Sequence, residues 1–289
     1  MKLSQTIQWF PGHMAKARRE ATERIQMVDV VIELVDARIP ESSRNPIVQE
    51  IIGQKPSVIV LNKMDLANPQ DTKRWIQTYQ EQGMHAIAID AQHNKGLNAL
   101  KKLLQDIMKP VHEEQRKKGV KPRDIRLMIL GIPNVGKSTL INRFVGKNQA
   151  ITGNKPGVTK AQRWLKVGQQ FSLLDTPGIL WPKFEDPDVG KKLAITGAIK
   201  DQLLHMDDLA LYLLDRLVDA NPEALKRYNI SQNDIDALST VDLLLLITEK
   251  MGLREDYDEA SFRIIHDFRS HRLGSLTLDP PYESVSYEG

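Results

Sequence analysis

The fold is decided by the stretch Ile125-Arg126-Leu127-Met128-Ile129-Leu130-Gly131-Ile132-Pro133-Asn134-Val135-Gly136-Lys137-Ser138. Its first six residues are mostly apolar and predict a buried strand. The pattern GxxxxGKS from Gly131 to Ser138 follows, and the helical spacing of Ser138–Phe144 comes next. A glycine-containing turn between a strand and a helix directs backbone N–H groups and the helix N-terminus at a phosphate group. The stretch therefore predicts a phosphate-binding loop in an α/β domain.

Each residue of this loop has an expected role. Lys137 is expected to reach the β- and γ-phosphates, and Ser138 to bind Mg²⁺. Backbone N–H groups wrap the β-phosphate, and the nucleotide-binding residues expected here are Asn134, Val135, Gly136, Lys137, Ser138 and Thr139. The competing interpretation is a chance match in a glycine-containing turn, and the strand and helix on either side argue against it.

A second motif predicts which base is bound. Asn62-Lys63-Met64-Asp65 follows the apolar run Ser57–Leu61. A carboxylate at Asp65 accepts two hydrogen bonds from guanine N1–H and the N2 amino group, whereas adenine would leave it unpaired. Asn62 is expected to hold the loop and touch the purine edge, and the stem of Lys63 to lie over the ring.

The order of the two motifs is reversed. The guanine-reading segment lies about 70 residues upstream of the phosphate loop, whereas ordinary small GTPases place the phosphate loop first. The reversed order predicts a circularly permuted GTPase domain. It also predicts that the segment after Gly178 runs directly into the C-terminal domain, so that loss of a γ-phosphate contact there would bias the pose of that domain.

Three further segments are candidates for the same site. In Asp175-Thr176-Pro177-Gly178, Asp175 is expected to orient Mg²⁺ through water and the Gly178 N–H to meet the γ-phosphate, although such a tetrapeptide is also a plain turn. Thr159 is the candidate switch threonine over Mg²⁺ and the γ-phosphate, or else a solvated loop residue. In Asp90-Ala91-Gln92, the Ala91 N–H is expected to contact guanine O6, with Asp where a serine is usual.

Alternating apolar and helical segments predict an α/β fold with a mainly parallel sheet, followed by a smaller all-α domain. The expected boundaries are residues 1–180 for the permuted GTPase domain and 181–289 for the helical one. Within the first, residues 1–15 form an aromatic segment with His13, and the polar residues 110–122 are expected to be a linker. The predicted strands are Val28–Val35, Ser57–Leu61, His85–Ile89, Gln162–Val167 and Phe171–Leu174. The predicted helices are Thr72–Gln82, Leu97–Met108, Val189–Leu204, Asp207–Asp219, Ile235–Met251 and Glu259–Arg272.

Composition excludes several classes of protein. The 289 residues are 41% hydrophobic and 27% charged, with a net charge of +3, so the composition alone does not indicate nucleic-acid binding. Cysteine is absent, which excludes disulfides and thiolate metal sites. No apolar run is long enough for a membrane span or a signal peptide. The expected location is the cytoplasm, with no membrane partner.

Together these motifs resemble the circularly permuted GTPases of the TRAFAC class, and within them the ribosome-biogenesis GTPases of the RbgA/YlqF type. Trp9-Phe10-Pro11-Gly12-His13-Met14, the reversed motif order and Thr196-Gly197-Ala198-Ile199-Lys200-Asp201 carry the resemblance. It implies Mg²⁺-dependent hydrolysis of GTP to GDP during late assembly of the bacterial large (50S) ribosomal subunit, with the helical domain contacting rRNA. The alternatives are a GTP-dependent scaffold or sensor that does not hydrolyse GTP, and a GTPase acting on another RNA.

Two catalytic residues depend on this resemblance. Ile179 occupies the position where a Ras-like enzyme places a water-orienting glutamine, and its side chain cannot hydrogen-bond. The resemblance assigns that role to His13, which is otherwise a solvated or structural residue. Asn134 is similar to the asparagine of K⁺-stimulated GTPases, which implies that its side-chain carbonyl helps to bind K⁺ near the β- and γ-phosphates; the alternative is an amide that braces the loop.

Basic residues are the candidate RNA contacts. They occupy one arc of the predicted helix Glu259–Arg272, another helix and the expected linker, and they are Arg263, His266, Arg269, Lys191, Lys192, Lys200, Arg116, Lys117, Lys118 and Lys121. Acidic residues are interleaved with them, so a solvated helix face is the alternative for any single residue.

Overall fold

A six-stranded sheet forms the centre of the N-terminal part of the chain. The computed structural model describes residues 11–146, 164–174, 179, 186–199 and 205–281, and for positions 11–14 it describes the backbone alone. The strands lie in the order β3-β2-β1-β4-β6-β5. They are β1 (Val30–Asp36), β2 (Ser57–Asn62), β3 (His85–Ala88), β4 (Ile125–Gly131), β5 (Trp164–Val167) and β6 (Phe171–Leu174).

The register of the strands aligns their carboxyl ends at one edge of the sheet. Leu34 of β1 pairs with Gly131 of β4, and Asp36 pairs with Asn62 of β2. All pairings are parallel except that of β5 with β6, which is antiparallel. The predicted, mainly parallel sheet is therefore confirmed, and the loops that follow β1, β2 and β4 open at the same edge, where such sheets bind ligands.

Five helices cover this sheet, and their starts follow from local sequence. They are α1 (Pro11–Arg24), α2 (Pro46–Ile52), α3 (Pro69–Glu81), α4 (Leu97–Lys117) and α5 (Lys137–Val145). The side chains of Asn45 and Asn68 accept hydrogen bonds from the first turns of α2 and α3, and proline follows each of them. An N-cap asparagine followed by proline is a strong helix start. The short helix α2 was not predicted.

The expected linker at residues 110–122 is wrong, because α4 continues through Pro110 to Lys117. The side chains of this extension are mostly exposed, so its polar composition matches a solvated helix as well as a loop. The helix ends before Gly119, which has φ 74°, and glycine favours this left-handed conformation. Neither α4 nor any other helix in the described ranges is long and apolar enough to cross a membrane.

The regular elements described after residue 186 are all helices, and the predicted all-α region is confirmed. Its helices are α6 (Pro187–Ile195), α7 (Met206–Ala220), a 3-10 helix (Pro222–Tyr228), α8 (Gln232–Ala237), α9 (Thr240–Lys250) and α10 (Tyr257–Arg269). The single helix predicted over Ile235–Met251 is instead two. Leu238 is extended and Ser239 caps α9 by accepting from the Asp242 N–H, a signal that the apolar periodicity conceals.

The segment Leu276–Asp279, here called the C-terminal strap, runs back across the sheet domain. Backbone N–H groups of Leu276 and Leu278 donate to the carbonyls of Leu66 and Arg38, at 3.3 and 2.7 Å. The Asp279 carboxylate accepts from the N–H and hydroxyl of Ser42, both at 2.7 Å. These bonds join the end of the helical region to the loops at the carboxyl edge of the sheet. The boundary at 180/181 stays a prediction, since residues 180–185 lie outside the described ranges.

Candidate nucleotide site

The phosphate loop lies between β4 and α5, as the sequence predicts. Lys137 Nζ donates to the carbonyls of Gly131 and Ile132, at 3.1 and 2.9 Å. Ser138 and Thr139 lie in the first turn of α5 and are half-buried. The loop therefore places an ammonium group, a hydroxyl group and the positive end of a helix within one short segment.

The Asn62 side chain joins the guanine-reading segment to the phosphate loop. Its Nδ2 donates to the Val135 carbonyl at 2.8 Å, and its Oδ1 accepts from the Ala91 N–H at 3.1 Å. A Cβ on Gly136 would lie 2.3 Å from Asn62 Nδ2, and φ of Gly136 is 102°. Glycine at position 136 is thus what permits the amide to approach. The expectation that Asn62 holds the loop agrees with this geometry.

Asp65 and Ala91 are the two residues predicted to contact the guanine base. The side chain of Asp65 is about a quarter exposed. The N–H of Ala91, expected to contact guanine, is donated to Asn62 here, so its contact with the base stays a prediction. Arg143 of α5 donates to the carbonyls of Ala91 and Gln92, at 3.2 and 2.6 Å, and fixes this loop to the helix that begins at the phosphate loop.

Two residues that the sequence analysis did not single out, Asp36 and Arg38, support Lys63. Lys63 Nζ donates to Asp36 Oδ2 at 2.8 Å and to the Asn134 carbonyl at 2.9 Å. Arg38 donates to both oxygens of Asp36, at 2.9 and 2.7 Å. Asp36 and Arg38 are each 2% exposed. Burial raises the pKa of Asp36, but the charges of Arg38 and Lys63 outweigh it and hold that pKa below its ordinary value.

The same two loops contact the helical region. Asn134 Nδ2 donates to the Gly197 carbonyl at 2.8 Å, and Arg38 Nη2 donates to the Thr196 carbonyl at 3.3 Å. The Arg38 guanidinium also lies 5.3 Å from the centroid of the Phe268 ring. The sequence alone assigns no structural role to the Thr196–Asp201 motif. Its first two residues contact Asn134 of the phosphate loop and Arg38 of the loop after β1.

Several of the predicted site residues lie outside the part of the chain that the structure describes. Thr159, Asp175, Gly178 and the side chain of His13 lie outside the described residues. Ile179 is described and is 1% exposed. Its N–H donates to the Gly131 carbonyl at 3.1 Å, and its carbonyl accepts from Asn45 Nδ2 at 2.9 Å. Ile179 belongs to the buried apolar cluster that includes Ala17 and Ala21 of α1, which makes it a core residue beside the phosphate loop.

Two of the predicted RNA contacts are used inside the protein instead. Arg269 donates to the carbonyls of Ile195 and Ala194, at 2.9 and 2.8 Å. Cations are favoured at this position because the last carbonyls of α6 lack helical partners. Lys192 Nζ lies 2.8 Å from Asp279 Oδ1 of the strap. Arg263 and His266 remain exposed, so the basic surface is smaller than the sequence indicated.

Comparison with known proteins agrees with this geometry. The family model described as 50S ribosome-binding GTPase matches residues 126–264. The match begins inside β4 and leaves the guanine-reading segment outside, as the reversed motif order requires. The chain is 51% identical over 286 residues to ribosome biogenesis GTPase A of Priestia megaterium, covering 96% of this chain and 98% of that one. The chain belongs to the ribosome biogenesis GTPase A family.

More distant proteins extend the relationship. Mitochondrial ribosome-associated GTPase 1 of Mus musculus is 35% identical, over 94% of this chain and 89% of its own length. The crystal structure of GNP-bound YlqF from T. maritima has the same fold, with a TM-score of 0.63, 24% identity and coverage of 93% and 99% of the two chains. As a member of the ribosome biogenesis GTPase A family, the chain is a GTP hydrolase that acts in ribosome assembly. The non-hydrolysing sensor is thereby set aside.

Proposed function

We propose that this GTPase binds the assembling large ribosomal subunit, hydrolyses GTP at the site described above and contacts rRNA through its helical region. The observation that supports the site is the Asn62 side chain, which hydrogen-bonds the phosphate loop at 2.8 Å and the Ala91 loop at 3.1 Å. Two motifs in reversed order thus meet in one place. The names of the family model and of the relatives support the subunit as partner.

In this proposal Asp65 reads guanine N1–H and N2, and the Lys63 stem lies over the base. Backbone N–H groups of residues 134–139 and the Lys137 ammonium surround the β- and γ-phosphates. Lys137 would exchange its bonds to Gly131 and Ile132 for bonds to phosphate oxygens. Replacement of Asp65 by Asn should shift the preference from guanine to xanthine nucleotides, and undiminished GTP affinity in that variant would contradict the assignment.

The proposed Mg²⁺ ligands are oxygen donors, the class that this ion prefers. Ser138, Thr159 and Asp175 supply hydroxyl and carboxylate oxygens, and Ser138 lies half-buried in the first turn of α5. Held by these residues, Mg²⁺ would offset charge on the β- and γ-phosphates. A K⁺ ion is proposed at Asn134, whose Nδ2 donates to Gly197 and whose Oδ1 would be the ligand. Equal turnover in K⁺ and Na⁺ would leave Asn134 as a brace between the loop and the helical region.

We assign the positioning of the attacking water to His13. The buried side chain of Ile179 supports a donor from elsewhere in the chain, because this residue has no group to orient water. Position 13 lies one helical turn before Ala17, which packs in the same apolar cluster as Ile179. This proximity of α1 to Ile179 supports the assignment of position 13 to the γ-phosphate side of the loop. Gly178, directly before Ile179, supplies the γ-phosphate N–H in this proposal.

The helical region is proposed to respond to the nucleotide. Two contacts support this coupling, namely Asn134 with Gly197 and Arg38 with Thr196. Because Asn134 belongs to the phosphate loop and Arg38 holds the Asp36 that binds Lys63, a rearrangement of the loop on hydrolysis would reach the end of α6. An unchanged orientation of the two regions with GTP analogue and with GDP, on and off the subunit, would contradict this coupling.

Co-sedimentation and turnover test the partner and the chemistry together. We expect the full chain with GTP analogue to sediment with immature large subunits, less so at high salt, and GTP turnover to rise when subunits are added. The Arg263→Glu variant should weaken sedimentation, while Lys73→Glu, an exposed cation on α3, serves as the control. His13→Ala should lower turnover and spare GTP binding. Sedimentation that is insensitive to salt and to Arg263→Glu would contradict rRNA contact through α10.

A further inference from the structure

The loop that follows β3 is built around a buried carboxylate. Asp90 is 0% exposed, and its backbone exchanges hydrogen bonds with Lys95, at 3.1 and 2.9 Å, which close the loop. Its carboxylate accepts from the His93 N–H at 2.9 Å and contacts His93 Nδ1 at 2.8 Å. Both oxygens of Asp90 are therefore occupied in holding His93.

The imidazole of His93 lies close to two carboxylates. Its Nδ1 is 2.8 Å from Asp90 Oδ2 and 3.9 Å from Asp65 Oδ2. A carboxylate accepts hydrogen bonds and does not donate them, so Nδ1 carries the proton in the bond to Asp90. The edge of the ring that carries this N–H is thus held by Asp90 and lies 3.9 Å from Asp65.

Asp65 has to be ionised to accept two hydrogen bonds from guanine. The ligand atoms of Asp65, Asp90 and His93 all lie within 4.8 Å of one another, so Asp90 places a second negative charge close to the first. At such distances near a protein surface, like charges interact strongly enough to alter an affinity tenfold. A group that offsets the charge of Asp90 therefore bears directly on guanine binding.

We propose that His93, held by Asp90, is a positioning residue for Asp65 that offsets the charge of Asp90 and keeps the Asp65 carboxylate turned towards the base. Arg143 contributes from α5 by holding the carbonyls of Ala91 and Gln92, which fixes the loop that carries His93. The inference rests on the proposed role of Asp65 in reading guanine. In this proposal guanine affinity depends on Asp90 and His93, which lie outside the guanine-reading segment.

The same three side chains have the composition of a metal site, which is the competing explanation. A metal ion on Nδ1 would require loss of the proton that forms the 2.8 Å bond with Asp90. The observed hydrogen bond therefore favours an internal pair over a bound ion. A chelator distinguishes the two in solution.

Affinity for fluorescent GDP, measured on the full chain in Mg²⁺ buffer, tests the proposal. His93→Ala should bind GDP about tenfold more weakly, since the charge of Asp90 is then no longer offset. The double variant Asp90→Ser with His93→Ala should recover most of the lost affinity, because the repelling charge is gone. A purely structural role of His93 would not be rescued in this way. His85→Ala, an exposed histidine at the opposite end of β3, is the matched control and should bind like the parent.

Three results would overturn the proposal. The first is a His93→Ala variant that folds normally by circular dichroism and binds GDP with the parent's affinity. The second is a double variant that binds as weakly as His93→Ala. The third is a loss of parental affinity on adding a zinc-selective chelator, which would assign the three side chains to a metal ion. The Asp65→Asn variant distinguishes failure of the His93 proposal from failure of the proposed role of Asp65. If that variant does not prefer xanthine nucleotides, Asp65 does not read the base.

Discussion

The guanine-reading segment Asn62–Asp65 lies between two buried carboxylates with different surroundings. Asp36, at the end of β1, lies 2.7 Å from the Arg38 guanidinium and 2.8 Å from the Lys63 ammonium. Asp90, just beyond β3, lies 2.8 Å from the half-exposed imidazole of His93. One carboxylate meets a guanidinium and an ammonium group, and the other meets an imidazole.

This difference separates two uses of the same side chain. Asp36 is a cross-link, because Arg38 continues to the Thr196 carbonyl and the Phe268 ring in the helical region. Asp90 is a local support, because its side-chain bonds stay within the loop that ends at Lys95. Loss of Asp36 should therefore affect the whole fold, and loss of Asp90 should mainly affect the base end of the site.

The largest expected effect is that of Asp36→Asn on stability. The substitution leaves two buried or half-buried cations without their carboxylate, and breaking such a pair costs about 3–5 kcal/mol. Urea unfolding at pH 7 measures it. Asp106→Asn, an exposed carboxylate on α4, should stay within about 0.5 kcal/mol of the parent. A loss below about 1 kcal/mol at Asp36 would show that the cross-link contributes little to the fold.

Asp90→Ala should cost less, about 1–2 kcal/mol. The variant loses two hydrogen bonds to His93, each of which has a modest net value, and its unpaired donors are close to water. The same urea titration applies, with Asp106→Ala as control. If Asp90→Ala were as damaging as Asp36→Asn, the number of cationic partners would not explain the difference between the two carboxylates.

The strands and both nucleotide motifs were predictable because their signals are local. β1, β2 and β4 are nearly continuous apolar runs that are buried on both faces, and the glycines and lysine of the phosphate loop have fixed spacing. The exposed extension of α4 and the break at Ser239 were missed because they depend on solvation and capping rather than on apolar periodicity.

The supports of the site were harder to predict because they join distant parts of the chain. Arg38 contacts a carbonyl 158 positions away, and Trp75 Nε1 donates to the Asp279 carbonyl, 204 positions away. Nothing local in the sequence marks such partners. The Asp90–His93 pair did leave a local signal, since an aspartate three residues before a donor commonly forms a turn of this kind.

A smaller effect than the two losses of stability above is expected in the pH dependence of stability, where Asp36 should differ from an ordinary carboxylate. Its pKa is lower in the folded chain than the ordinary value near 3.9. The stabilisation is therefore complete above about pH 5 and is lost as the pH falls towards the folded pKa. The stability gap between the parent and Asp36→Asn should shrink by roughly 0.7 kcal/mol from pH 5 to pH 3.5. Urea unfolding of both proteins at several pH values measures this gap, and a constant gap would contradict the lowered pKa.

The smallest expected effect is the coupling between the two carboxylates. Within the described ranges Asp36 and Asp90 share no side-chain partner, so the losses from Asp36→Asn and Asp90→Ala should add to within about 0.5 kcal/mol in a double-mutant cycle. The guanine-reading segment nevertheless connects them, since Lys63 contacts Asp36 and Asp65 faces His93. A coupling energy above about 1 kcal/mol would show that Asn62–Asp65 moves as one rigid piece. In that case a change at Asp36, which is cross-linked to the helical region, would also alter the geometry of base recognition. The contributions of the two carboxylates would then not be independent.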